Sequence, residues 1–327
     1  MMRYMLRRLM YGALVLLGVN LATFFLFFTV NTPDDMARLN IGGKRVTQEL
    51  IDKWKVERGY DKPLYWNSAE TGSGQLTDTI FWERSVSLFT LKFGRADGES
   101  GGDIGHEVAS RMWVSFQLAL PIFLLQVIAS TAFGLLLVMF RHTRLDLWGV
   151  VLCVLMLSIS SLFYIIVGQY LFSRVLKLVP ISGYAPGLDV VRFLVLPVFL
   201  SAFARLGTEA RLYRAMFLEE VGKDYVRTAR AKGLSERIVM FRHVLRNALI
   251  PIITSAGSYL PYVFMGSLVF ESFFGIPGLG AYVIEAISKQ DFAIVRTMVF
   301  VGSLLFIATY MLVDLAYTWV DPRVRLG

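Results

Sequence analysis

Asp314 is the residue whose position most directly poses a chemical question. It lies in YMLVDLAYTWVDPRVR, inside an apolar run, where ionisable groups are otherwise almost absent. A charge at membrane depth costs several kcal/mol, so such a carboxylate either serves ion movement or has a partner. Ion coupling is one reading. A structural salt bridge or hydrogen bond, with Arg205, Arg211 or a tail arginine as partner, is the other. The second candidate is DYVRTARAKGLSERIVMFRHVLRNALIP, 224–251, the densest basic stretch, which runs straight into apolar sequence. Asp224 is placed to cap a short helix from Tyr225 to Lys232, and Gly233 suits the left-handed residue that ends it. Leu234 follows, and Ser235 can cap a second helix with Ile238, Phe241, Leu245 and Ala248 on one face. Thr228, Ala229 and Ala231 are small enough to let another protein approach, while Arg230 and Lys232 can engage acidic or carbonyl groups. Pro251 falls where the next span begins.

Other familiar chemistry is missing. No G-x-x-x-x-G-K-[ST] loop is present; IGGKR (41–45) lacks the leading glycine and the hydroxyl residue. GSG (72–74) and GIPGLG (275–280) do not match the dinucleotide fingerprint, and there is no H-E-x-x-H. Three histidines and one cysteine leave no basis for a dedicated metal site. No catalytic residue, metal ligand or cofactor is assigned, and the chain is not expected to be an enzyme.

The elements that must hold these residues are membrane spans. Of 327 residues 55% are hydrophobic, above the globular norm and gathered into long runs. Six runs are candidate spans: Leu9–Val30, Val114–Phe140, Leu147–Phe172, a weaker one over Val190–Ala204 that is short and ends in charge, Ala248–Phe270 and Ile294–Val320. Cys153 sits in the third and is expected to pack. The first run is longer than a signal-peptide core and is followed by no small-x-small cleavage site, so it is expected to remain as a span. Lys and Arg then set the orientation. The N-terminus carries Arg3, Arg7 and Arg8, RHTRLD carries Arg141 and Arg144, and the tail DPRVRLG carries Arg323 and Arg325. The segment 205–246 holds ten basic residues against five acidic ones. Six spans put all four on one side, so both termini are expected in the cytoplasm. Dropping the weak fourth span would put 205–246 outside, against the rule.

The expected organisation is therefore 1–30 as N-terminal end and first span, 31–113 as an extracytoplasmic segment, and 114–327 as a core with spans two to six and a cytoplasmic loop at 205–247. The outer segment, with eleven basic and thirteen acidic residues, is nearly neutral. TQELIDKWKVERG (47–59) predicts a helix with Thr47 at its start, Leu50, Ile51 and Trp54 on one face and Gly59 at its end. The segment is either a small cap or a surface that receives a partner. The basic 224–251 segment has three readings from charge and spacing alone: a loop against anionic lipid, a docking site for a cytoplasmic subunit, or, with little support, a nucleic-acid contact. Gln117, Gln126, Ser158, Gln169, Ser258 and Tyr259 either line a path through the spans or bond between helices.

The order of residues adds to this. Asp224, Tyr225, Val226, Thr228, Ala229, Arg230, Ala231, Lys232, Gly233 and Leu234, then Arg246, Asn247, Ala248 and Pro251, resemble the cytoplasmic EAA-loop motif of ATP-binding-cassette importer permeases. The likeness is to the dipeptide, oligopeptide and nickel branch. RYMLRRL, GYDKPLY (59–65), ESFFGIPGLG (271–280) and VDLAYTWVDPRVR (313–325) resemble further family elements. The long segment after the first span is similar to the B-type subunit. LKFGRA (91–96), Arg192 and the stretch 66–90 depart from the pattern. The resemblance implies an all-α polytopic fold of the type I importer permease kind, in a bacterial inner membrane. It implies a second homologous permease, two cytoplasmic ATPase subunits and an extracytoplasmic binding protein, with residues 224–234 coupling the chain to the ATPases and di- or oligopeptides as substrates. Membrane lipid would surround it and nucleic acid would play no part. Asp314 and Pro251 are carried as structural or gating residues, and no substrate ligand is assigned. Two other readings remain: an ion-coupled secondary transporter, which would need intramembrane carboxylates or broken helices, and a membrane anchor without transport.

Overall fold

The computed structural model describes residues 2–42, 46–98 and 101–320, with the side chains of 2–4 and 315–320 left aside. The tail DPRVRLG with Arg323 and Arg325, the 43–45 part of IGGKR and the side chain of Arg3 lie outside that set. Regular structure among the described residues is helical, apart from one antiparallel bridge between Arg95 and Asp103.

Among the described residues, five helices are long and apolar enough to cross a membrane: Met5–Val30, Ile104–Met139, Gly187–Val221, Glu236–Gly257 and Phe292–Asp314. Two bent pairs reach that length only together, Arg144–Ser158 with Ser161–Val175 at 91°, and Leu260–Phe274 with Leu279–Ser288 at 65°. The count runs from five to seven, and the six expected spans fall inside it. Leu9, Met10, Leu14, Phe25 and Leu26 of the first helix stay exposed, a surface suited to hydrocarbon.

Several expected boundaries change. The third run is bent, not straight: Ile159 is extended, and the Ser160 hydroxyl accepts from the Leu162 amide at 3.3 Å to start a new helix. The fourth does not stop at Ala204. Its helix continues to Val221 because Gly207, Ala210, Tyr213 and Phe217 give the charged stretch a buried face. The fifth ends at Gly257, and shorter helices follow on either side of Gly266, whose φ is 75°.

The chain divides into two compact units. In the first, Met1–Trp113 with Gly278–Met311, a core of Phe24, Phe28, Met36, Ala37, Ile51, Trp54, Tyr60 and Ile80 joins the end of the first helix to the helices Pro33–Ile41 and Gln48–Arg58. Each large side chain buried there stabilises by roughly 1.5–3 kcal/mol. Thr32 and Asp35 form a capping box at the first of these helices, and Gly59 ends the second at φ 68°. Thr47 takes the expected cap position without a side-chain bond, and Leu50 stays exposed while Ile51 and Trp54 are buried.

In the second unit, Val114–Pro277 with residues 312–320, helices Arg144–Ser158 and Val190–Val221 pack with their backbones almost touching. A Cβ on Gly207 would lie 2.5 Å from the Cys153 carbonyl oxygen, so only glycine permits this approach. Cys153 is fully buried at that crossing, the packing role expected of it. Arg214 grips Asp146 through two bonds of 2.9 and 2.8 Å.

Candidate functional site

The segment 222–235 projects as a compact piece of chain. After the long helix ends at Val221, Gly222 and Lys223 turn the chain, and a helix runs over Asp224–Ala231. Asp224 is not its cap. The cap position falls on Lys223, and Asp224 stands almost fully exposed in the first turn, where its charge favours the helix start. Gly233 is the residue the turn depends on. Its φ is 77°, its N–H donates to the Arg230 carbonyl at 2.9 Å, and the Leu234 N–H donates to Ala229 at 3.4 Å. These paired bonds form a Schellman turn, which satisfies carbonyls the helix end would leave open.

The short helix has two faces. Val226 and Ala229, three residues apart, are buried in a core with Leu135, Val138, Tyr213, Phe217, Val221, Val239, Met240, Val244, Ala248 and Ile252. Ala229 therefore faces inward and is not part of the approachable surface expected of it. Arg227, Thr228, Ala231, Lys232 and Gly233 stay exposed. Tyr225 is half-buried and donates to Glu220 at 2.5 Å; burial first, then that carboxylate, pushes its hydroxyl up to about 12. Arg230 holds Glu236 through bonds of 3.1 and 2.7 Å, tying the helix to the one that follows.

That next helix starts at Glu236 with Ser235 in the cap position, without a side-chain cap bond. A wide π-turn over Val239–Val244 then shifts its face. Val239, Met240, Val244, Ala248 and Ile252 are buried, whereas Ile238 and Phe241 are exposed. The stripe that a uniform α-helical period predicts therefore falls on the wrong face at Ile238 and Phe241, because the π-turn changes the period. Pro251 lies inside the helix Leu245–Gly257, beside a cavity of about 490 Å³ lined by Glu219, Glu220, Lys223, Tyr225 and Asn247.

Among the polar span residues, two line a second cavity. Gln126 and Tyr259, with Ser201, Arg205 and Tyr262, surround a space of about 280 Å³. Arg205 lies over the Tyr259 ring at 5.0 Å. The others are engaged elsewhere: Gln117 accepts from Tyr184 at 2.8 Å, Gln169 donates to the Ile181 and Phe273 carbonyls, and Ser158 and Ser258 bond to their own helices. Asp314 is partly buried on the last long helix.

Sequence reasoning missed charges that the fold buries. Glu209 is 2% exposed with one carboxylate oxygen unpartnered among the described residues, and Glu271 is fully buried, accepting from Ser115 at 2.8 Å and the Ser267 amide at 3.1 Å. Arg296 is buried in the last long helix, so Asp314 is not the sole exception expected. A signal was available for Arg296, a lone arginine in FAIVRTMVF.

The first unit holds a further polar cluster. Arg58 lies 5.0 Å over Trp54, Trp54 stacks on Tyr60, and Arg84 lies 4.6 Å over Tyr60. The Tyr60 hydroxyl donates to both Asp97 oxygens at 3.0 and 2.9 Å. Burial pushes the Asp97 carboxyl up, Arg84 opposing it. Asp97 also accepts the Ala293 amide at 3.0 Å, and Asp291 accepts the Gly98 and Ile294 amides at 2.9 and 3.1 Å. Two carboxylates thus sit at the start of the last long helix, where the dipole favours them.

A chain of several apolar helices long enough to cross a membrane, with a short exposed helix ended by a left-handed glycine, fits a membrane-embedded protein, and sequence comparison gives its class. Residues 109–326 match the family of the binding-protein-dependent transport system inner membrane component, and residues 1–84 match the N-terminal family of the same membrane component. A putative peptide transport system permease protein of Brucella abortus (strain 2308) is 34% identical over 98% of each chain. The dipeptide transport system permease protein DppB of Bacillus subtilis (strain 168) is 30% identical over 100% of this chain and 99% of its own. The glutathione transport system permease protein GsiC of Pectobacterium atrosepticum is also 30% identical, over 99% of each. The chain belongs to the binding-protein-dependent inner membrane component family, the membrane permeases of ATP-binding-cassette importers. In that family separate ATPase subunits hydrolyse ATP and a substrate-binding protein is a partner.

Proposed function

We propose that this chain is the B-type permease of a di- or oligopeptide importer and that residues 224–234 couple it to the ATPases. The observation that carries the coupling role is the short helix with Val226 and Ala229 buried inward, its outer face exposed and its end held by Gly233 at φ 77°. Such a piece moves as one body with the helices it packs on. Arg227, Thr228, Ala231 and Lys232 supply the surface an ATPase cleft would meet, and Asp224, Tyr225, Arg230 and Leu234 hold its shape. ATP binding biases the permease only by favouring one of its conformations through this contact. Two such permeases, this chain and a homologous partner, would enclose the path between two ATPases.

The basic segments support an orientation with both termini in the cytoplasm and 31–113 outside, where a binding protein docks. The peptide substrate rests on the printed names of the relatives. The cavity at Gln126, Ser201, Arg205 and Tyr259 is proposed as part of the path, and Pro251 and Asp314 as structural or gating residues. The test is co-reconstitution in proteoliposomes with the second permease, the ATPases and the binding protein. Peptide uptake that requires ATP and all components is expected. Cysteines at Thr228 and in the ATPase cleft should crosslink. Uptake by the chain alone, driven by a proton gradient, would refute the reading in favour of a secondary transporter.

A further inference from the structure

The first unit contains a cavity of about 430 Å³ whose described lining carries more positive than negative charge. Four arginines, Arg58, Arg84, Arg95 and Arg296, line it against two glutamates, Glu57 and Glu83. Both glutamates already have partners: Glu57 lies 3.6 Å from Arg58, and Glu83 is bonded to Lys62. The buried carboxylates nearby, Asp97 and Asp291, act as counter-charges to Arg84, and Asp97 to Arg296, but neither bonds the Arg296 side chain. Asp97 accepts from Tyr60 and the Ala293 amide, and Asp291 from the Gly98 and Ile294 amides.

Arg58 and Arg84 are held in place by main-chain acceptors. Arg58 donates to the Asp97 carbonyl at 2.8 Å and to Gly98 at 3.2 Å, and Arg84 donates to the Arg58 carbonyl. Arg296 is different. It is only 5% exposed, its guanidinium lies 5.8 Å from the Phe28 ring centre, and its Nε has no hydrogen-bond partner among the described residues. A buried guanidinium with an open donor is costly unless something supplies an acceptor. Here it borders a cavity large enough for a small organic ligand.

We propose that this cavity binds a small carboxylate-bearing molecule, with Arg296 as the buried anchor and Arg95 at the exposed rim. Carboxylates match the guanidinium fork with two parallel bonds, and the preset positions of Arg58 and Arg84 reduce the ordering cost of binding. The site is independent of the coupling role, since every residue in it lies in the first unit.

The experiment uses the purified full-length chain in detergent, with succinate and inorganic phosphate as probes and sodium chloride at matched ionic strength as control. Succinate should raise the melting temperature in a saturable way, and Arg296→Gln should weaken its binding at least about tenfold, one bidentate charged contact being lost. No shift beyond the chloride control overturns the proposal, as does unchanged binding by the variant. Binding of phosphate without succinate overturns the carboxylate assignment. A second measurement avoids any folding effect of the variant. In the unmodified chain, succinate should slow phenylglyoxal labelling of Arg95 and leave labelling of exposed Arg227 unchanged. Equal labelling of Arg95 with and without succinate overturns the proposal.

Discussion

Gly233 gives a quantitative test of the coupling role proposed for the helix Asp224–Ala231. Its φ of 77° is a region where a Cβ costs about 1–2 kcal/mol. A Cβ built there meets no heavy atom within 4 Å, so Gly233→Ala adds backbone strain and no clash. The turn is held mainly by Val226 and Ala229, and burying a valine stabilises by roughly 1.5–3 kcal/mol. Strain and anchor are therefore of similar size, and the formed turn should lose population by a factor of about 5–30. Asn tolerates left-handed backbone and should retain most function, Ala should retain less, and β-branched Val least. The assay is binding-protein-stimulated ATP turnover and peptide uptake in proteoliposomes, normalised to inserted permease. Insertion should change little, since the apolar runs of the spanning helices are unaltered. Wild-type uptake by Gly233→Val would refute the coupling role. Damage by Asn equal to that by Val would refute the argument from φ.

Other positions have equally direct consequences. A Cβ at Gly266 would stand 2.1 Å from a Glu271 carboxylate oxygen and 2.6 Å from the Ser115 hydroxyl, at φ 75°. Gly266→Ala should cost more than about 3 kcal/mol and sharply reduce the yield of monodisperse protein. Asp146→Ala strands Arg214 and should cost about 3 kcal/mol, whereas the pair Asp146→Ala with Arg214→Met should recover much of it, both read by thermal melting in detergent. Asp97 has its carboxyl raised by burial, so the folded chain keeps a proton that the unfolded chain has released. Its stabilisation is present below the unfolded carboxylate range and is lost as pH rises through the folded value. Over that rise wild type should lose melting temperature faster than Asp97→Asn; equal slopes would dismiss the assignment.

The spans were legible because hydrocarbon imposes one requirement, a run of apolar residues about 20 long. Gly233 and Gly59 were legible for a similar reason, since each stop follows from one residue's backbone freedom. The breaks were not. The 91° bend rests on an extended Ile159 and the Ser160 hydroxyl, in a run with no proline between Leu147 and Phe172 to announce it. The continuation of Val190–Val221 through its charges depended on glycine 207 meeting another helix, a tertiary fact. Val239–Val244 defeated the periodicity argument because a π-turn changes the period itself. Glu209, Glu271 and Arg296 escaped because burial of a charge is decided by the surrounding fold.

The tie between the segment 31–113 and the last long helix has a consequence in time. Asp97 meets the Ala293 amide and Gly98 meets Asp291 across 196 and 193 residues of chain. At synthesis rates of about 5–20 residues per second, roughly 10–40 seconds separate the emergence of one partner from that of the other. Through that interval Asp97 lacks a main-chain donor it holds in the finished fold. Maturation of this region must therefore wait until synthesis has passed Asp291 and Ala293, and a truncation before Asp291 should leave it open to proteases even with the first helix inserted.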